Sequence, residues 1–192
     1  MEFLLDLATT FWQFTVVAIL ILIGFAINLL DKRYKNDDFT ITFKDYPHMQ
    51  PRRISTSDKG FWGAILMWLL GTRQWTIAKD WHFKMNGTDY VIPKDFEFDG
   101  ASVPKFLATF LSPVGVLLVG GLVHDYLYKH RVLVHKGKKT TTEKMTQKES
   151  DAIFRDINID VNGFVFMNLL AYWALRVAGF VAWNGHRKRE GN

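Results

Sequence analysis

No cysteine occurs among the 192 residues, so the fold cannot rest on disulfides, and a thiolate-held zinc or iron–sulfur site is excluded. That absence suits oxidising and reducing surroundings alike. A dominant charge is missing as well: 24 Lys plus Arg against 19 Asp plus Glu leave a formal +5. The composition also lacks the signature of a disordered or low-complexity chain, because 48% of the residues are hydrophobic and 15% aromatic. No internal repeat is visible, and the length holds one domain of ordinary size. What is plentiful is aromatic bulk. Seven Trp and sixteen Phe exceed the needs of a small soluble core, which makes membrane contact the first possibility to examine.

Phe11 to Leu30 runs for twenty residues without a charge. At about 1.5 Å per residue such a helix crosses the roughly 30 Å hydrocarbon core. Gln13, Thr15 and Asn28 form no polar stripe, so a transmembrane helix is the better reading than a buried core helix. The preceding Glu2 and Asp6 do not resemble the positive start of a cleaved signal peptide, and the segment is expected to remain as a single-pass anchor. Lys32, Arg33 and Lys35 follow it, which predicts that the bulk of the chain faces the cytoplasm. Trp12 and Tyr34 suit the aromatic belts at the two interfaces. Phe61 to Leu70 is too short to span. Val161 to Trp183 is long enough but contains Arg176, and a charge at mid-membrane costs about 2.5 to 3.5 kcal/mol. That segment is expected to pack on the domain or lie at the lipid surface.

The remaining chain divides into a polar linker with the short apolar helix 61–70 (residues 31–73), a folded domain (74–185) and a basic tail (186–192). Within the linker, Phe39 to Phe43 alternates like an edge strand. From Gln74 to Phe98 the segments WTIA, DWHFKM and TDYVI read as strands, and Asn86-Gly87 between the last two predicts a hairpin. After Pro113 an apolar run, Val114 to Val123, leads into HDYLYKH as a helix. A basic loop from Lys129 to Lys148 precedes a second helix, ESDAIFRDI, capped by Thr146 or Ser150 and ended at Asn162-Gly163.

His124 and Asp125 lie at the end of an apolar helix, where burying either without a partner is expensive. His124 and Tyr128 stand four residues apart on one face, with Asp125 turned about 100° away. Antiparallel packing of the two helices lets Asp151 face His124, holding one ring nitrogen while the other acts as a base. A hydrogen-bonded cluster that merely pins the helices together uses the same residues.

Two resemblances follow from these motifs. VIPKDFEFDGASVPKFL, GLVHDYLYKH and ESDAIFRDI resemble an uncharacterised phage and bacterial family, a domain of unknown function, over roughly Trp75 to Trp183; Asp95 stands where that pattern carries Gly. His124-Asp125-x-x-Tyr128 followed by Asp151-x-x-Phe154 is similar to the two-helix core of secreted phospholipases A2, particularly the bacterial type. The second resemblance implies His124 as general base, Asp125 as a calcium ligand, and Tyr128 and Asp151 as supports of the His. Calcium so held would polarise the ester carbonyl. The helix-linking disulfides and the Gly-rich calcium loop of those enzymes are missing. Asp99-Gly100-Ala101-Ser102 either supplies metal ligands, Asp99 among them, or is a turn that caps the next helix.

The expectation is therefore an α+β protein: an N-terminal transmembrane helix, a small antiparallel hairpin sheet and a helical core. It is expected to be phage-encoded, to sit in a host or virion membrane and to hydrolyse phospholipid esters with calcium. The alternative is a non-catalytic membrane or virion component that uses the motif as a clasp, with virion or membrane proteins as its partners. The basic loop and His186-Arg187-Lys188-Arg189 are either solvated or drawn to anionic headgroups. Nucleic acid is not favoured, because no aromatic-interleaved patch accompanies the charge.

Overall fold

The computed structural model describes residues 12–30, 38–53, 55–70, 74–98, 115–137 and 140–190. Several expectations fall outside these residues: the cations at 31–35, Tyr34, Pro113, and Asp99 with its DGAS segment. The described chain is α+β, as expected. It has five helices, α1 (Trp12–Leu30), α2 (Gly60–Leu70), α3 (Leu118–His130), α4 (Gln147–Asn162) and α5 (Val165–Glu190). Its seven short strands are β1 (Ile41–Thr42), β2 (Met49–Pro51), β3 (Trp75–Ile77), β4 (Trp81–Met85), β5 (Thr88–Ile92), β6 (Glu97–Phe98) and β7 (Val134–His135).

The strands form two antiparallel sheets, in the orders β1-β4-β5-β7 and β2-β3-β6. At the centre is the β4–β5 hairpin. Asn86 and Gly87 take φ of 48° and 77°, the left-handed pair that a tight two-residue turn requires. Strict alternation along β4 buries Trp81, Phe83 and Met85 and leaves His82 and Lys84 outside. Asp95 also adopts a positive φ, 65°, which accounts for glycine at this place in the family-like pattern.

Two segments expected to be connections belong to the sheets. The linker contributes β1 and β2, each an edge strand, and Pro51 is tolerated because β2 has a free edge. The basic loop contributes β7, which pairs with β5, and it is tied down further by Met145 N–H donating to the Arg131 carbonyl. Alternation along Phe39 to Phe43 points to β1, but it could not reveal β2 and β7, because two or three residues are too few to show a period.

The helices form a layer packed against the sheets. α3 is buried from Val119 to Tyr128, and its Leu122, Val123 and Leu127 join Trp81, Phe83, Ile92 and Ile157 in the main core. Burying each such side chain contributes about 1.5 to 3 kcal/mol. α4 starts with a capping box: Glu149 N–H donates to the Thr146 hydroxyl, and Thr146 N–H donates to the Glu149 carboxylate. Gly163 ends it with φ 73°.

α5 runs through residue 190, so the expected basic tail is its last turn and not a separate segment. Arg187 donates to the carbonyls of Tyr128 and Lys129 at 2.6 and 3.1 Å, and so caps the C-terminal end of α3.

The helix that is long and apolar enough to cross a membrane is also not where the sequence suggested. Among the described residues it is Val165–Arg189, within α5, with a third of its most apolar 18 residues buried. α1 forms over 19 residues, but its described apolar part, Phe14–Ala26, is shorter than a bilayer requires. α1 rests on α5 at Gly24, where a Cβ would come within 2.2 Å of the Phe166 ring.

Candidate active site

Three helices converge on Asp151. Along α3, Gly120, His124 and Tyr128 repeat every four residues on one face. The opposing face of α4 carries Asn158, Phe154, Asp151 and Gln147, so the pair runs antiparallel. Close approach depends on Gly120, since a Cβ there would lie 2.2 Å from Asn158 Nδ2. Asn158 is turned back into its own helix, donating to the Phe154 carbonyl at 2.9 Å. The His124 ring packs against Phe154 and Tyr128, with centroids 5.4 and 4.0 Å away.

The Asp151 carboxylate is wholly buried and accepts three hydrogen bonds. His124 Nε2 lies 2.9 Å from Oδ1, the Tyr128 hydroxyl donates to the same oxygen at 2.6 Å, and Arg176 Nη1 donates to Oδ2 at 2.7 Å. The structure thus brings His124, Tyr128 and Asp151 together. It adds Arg176, which the sequence reading treated only as an obstacle to membrane insertion. The signal was there: a cation inside an apolar helix must find a counter-charge. Gly179 of α5 completes the packing, for a Cβ at that residue would stand 2.5 Å from the Tyr128 hydroxyl.

Charge balance sets the protonation of the cluster. Burial by itself lowers the affinity of His124 for a proton, yet its pKa is raised above the ordinary value. The neighbouring Asp125 and Asp151 carboxylates outweigh desolvation. Burial likewise works to raise the Asp151 pKa, but the His124, Tyr128 and Arg176 donors hold it below the ordinary carboxylate range. Tyr128 is pushed up, by burial first and by the Asp151 carboxylate second. With His124 protonated, two cations face two carboxylates.

The other ring nitrogen of His124 differs. Nδ1 is buried, has no hydrogen-bond partner among the described residues, and stands 3.7 Å from Asp125 Oδ1, within reach of its charge but beyond a direct hydrogen bond. Asp125 and Tyr128 lead from this nitrogen to a cleft of about 390 Å³ at the C-terminal ends of α3 and α5, also lined by Gln74, Lys129, His186 and Arg189. His124 and Asp151 themselves lie under α5, only 1% and 0% exposed.

Calcium requires six to eight oxygen ligands. Among the described residues no group of three or more His, Asp or Glu is arranged to hold a metal ion. Of the two expected metal ligands, Asp125 is on the cleft wall and Asp99 lies outside the described residues. The described residues therefore do not by themselves make a calcium site.

No curated protein and no solved structure matches the chain. A family model does match, described as protein of unknown function (DUF1353), over residues 75–175. That stretch is more than half of the chain, runs from the first residue of β3 to Leu175 in α5, and contains His124, Tyr128 and Asp151. The chain belongs to this DUF1353 family.

Proposed function

We propose that the protein is a membrane-anchored hydrolase that cleaves phospholipid ester bonds, with His124 as general base positioned by Asp151 and Tyr128. The observation that carries this reading is the asymmetry of the His124 ring: Nε2 is held by Asp151, while Nδ1 has no hydrogen-bond partner among the described residues. A clasp built only to pin helices would satisfy both nitrogens, because an unpaired buried polar atom costs about 1 to 3 kcal/mol.

In the reaction, Nδ1 takes a proton from water and the resulting hydroxide adds to the ester carbonyl. Collapse of the tetrahedral adduct breaks the bond between carbonyl carbon and alkoxy oxygen, and His124 returns the proton to the departing alkoxide. A fatty acid and a lysophospholipid leave. Asp151 keeps the Nε2 proton in place, so that the free electron pair is on Nδ1. Calcium would enter this reading only as an ion held by the Asp125 carboxylate.

Attachment to the membrane is assigned to α1 as a single span, since its full 19 helical residues, and not the apolar part Phe14–Ala26 alone, reach about 28 Å; the domain is placed on the cytoplasmic side of a host membrane or on a virion membrane. Exposed Phe14, Ile19, Leu22 and Phe25 on α1 support it. α5 exposes Trp173, Val177, Phe180 and Val181 at helical spacing, while Arg176 on the flank of that stripe turns to Asp151. A spanning α5 would carry the charged cluster into hydrocarbon, so α5 is read as lying along the lipid surface.

The second reading, a non-catalytic membrane or virion component, is favoured by the near-complete burial of His124 and Asp151. Fatty-acid release by the full-length protein from phosphatidylglycerol mixed micelles, in calcium and then in EGTA, separates the two. Release is expected from the parent, and His124→Asn is expected to slow it about a hundredfold or more while keeping native circular dichroism. No release by the parent in either condition, or undiminished release by the variant, ends the enzyme reading.

A further inference from the structure

The cleft beside Asp125 contains cations that the hydrolytic step does not use. Lys129 stands one residue before the end of α3, and Arg189 one residue before the end of α5. Both line the cleft, with Gln74 and His186 as further polar groups. Among the described residues neither cation pairs with a carboxylate. Lys129 Nζ donates to the Glu97 backbone carbonyl and lies 4.8 Å over the Phe96 ring. Arg189 donates only from Nε, to the Gly185 carbonyl of its own helix at 3.2 Å, so the fork of its two terminal amines has no hydrogen bond to the described residues.

The two carboxylates on the same walls are engaged elsewhere. Glu97 pairs with Arg52, and Asp125 faces the His124 ring. Among the described residues, Lys129 and Arg189 are therefore the cleft charges without an opposite partner. Its volume, about 390 Å³, falls in the usual range of small-ligand sites, about 300 to 1,000 Å³.

We propose that this cleft binds the phosphate group of a phosphate ester, with Arg189 offering its fork to two phosphate oxygens and Lys129 a point charge to a third. Along α5 the exposed apolar stripe stops at Val181 and gives way to exposed Asn184 and Lys188, so the cleft lies just past the apolar stretch. Tyr128 and Asp125 line the cleft and neighbour His124. A bound headgroup would thus leave its acyl ester facing the His124 side, a step that rests on the hydrolase reading; phosphate binding itself does not.

Calorimetric titration of the full-length protein in a neutral detergent, with glycerol 3-phosphate as probe and glycerol as control, tests this. Saturable binding of glycerol 3-phosphate alone is expected. The double variant Lys129→Gln/Arg189→Gln should bind at least about tenfold more weakly, with unchanged circular dichroism. Competition then identifies the source. Displacement of the probe by phosphatidylglycerol micelles but not by dioleoylglycerol supports a lipid headgroup; displacement by inorganic phosphate and not by the lipid supports a soluble phosphate. No saturable binding by the parent, or equal binding by the folded double variant, overturns the proposal. The titration needs no turnover and is repeated with His124→Asn. A protein that binds the probe but releases no fatty acid loses the hydrolase reading and keeps the cleft; one that releases fatty acid but does not bind the probe loses the cleft alone.

Discussion

The cluster around Asp151 and the cleft beyond Tyr128 share residues yet treat charge in opposite ways. Inside the cluster every formal charge has an opposite at close range, because an uncompensated ion in a buried site costs several kcal/mol. Asp151 takes donors from three side chains on two other helices, α3 and α5. In the cleft, Lys129 and Arg189 donate to backbone carbonyls, and among the described residues neither meets a carboxylate. Full compensation ties the cluster to stability. Incomplete compensation leaves the cleft available to a ligand.

Removing the hub of the cluster should break this contrast most severely. Asp151→Ala leaves Arg176 without its counter-charge and His124 with Asp125 alone, and is expected to cost about 3 to 5 kcal/mol in urea unfolding monitored by circular dichroism. A loss below about 1 kcal/mol would mean that the charges are not confined as described.

The effect of pH should be smaller, since it removes one charge and leaves the packing intact. The His124 pKa is raised by folding, so its contribution is complete below the unfolded value of about 6.5 and disappears as pH rises through the folded value. The Asp151 pKa is lowered by folding, so its contribution is present above about 3.9 and is lost as pH falls below. Thermal midpoints should therefore decline on both sides of that interval. His124→Gln should remove the decline on the alkaline side. Hydrolysis should run the other way and increase above pH 6.5, because the base works only once deprotonated.

The smallest change is expected in the cleft. Lys129→Gln/Arg189→Gln should alter unfolding free energy by no more than about 0.5 kcal/mol, as for surface positions that hold no structural feature. A large loss would show that these cations belong to the fold and not to a ligand.

Legibility in the sequence differs by element. The β4–β5 hairpin was readable because side-chain alternation and Asn86-Gly87 are local signals, whereas the α4 cap was narrowed only to Thr146 or Ser150, and the structure chose Thr146. β1, β2, β6 and β7 are two or three residues long and exist through pairing with distant partners, so β2 and β7 passed for linker and loop. In the candidate site, the four-residue spacing of His124 and Tyr128 and the reach of Asp151 were visible. Arg176 was visible as a charge but not as a partner, and nothing local indicates that Gly120 and Gly179 admit Asn158 and the Tyr128 hydroxyl.

By itself the sequence determined which groups must be compensated: a His-Asp pair in an apolar helix and an Arg in another cannot be buried alone. It also determined the apolar bulk of α1 and α5, which exceeds what the domain covers. Only the tertiary structure decided how the charges pair. That depends on residues as far apart as His124 and Arg176 being brought together by three helices, at contacts that two glycines permit. It also decided that Lys129 and Arg189, sixty residues apart, line one cleft, because the last turn of α5 caps the end of α3.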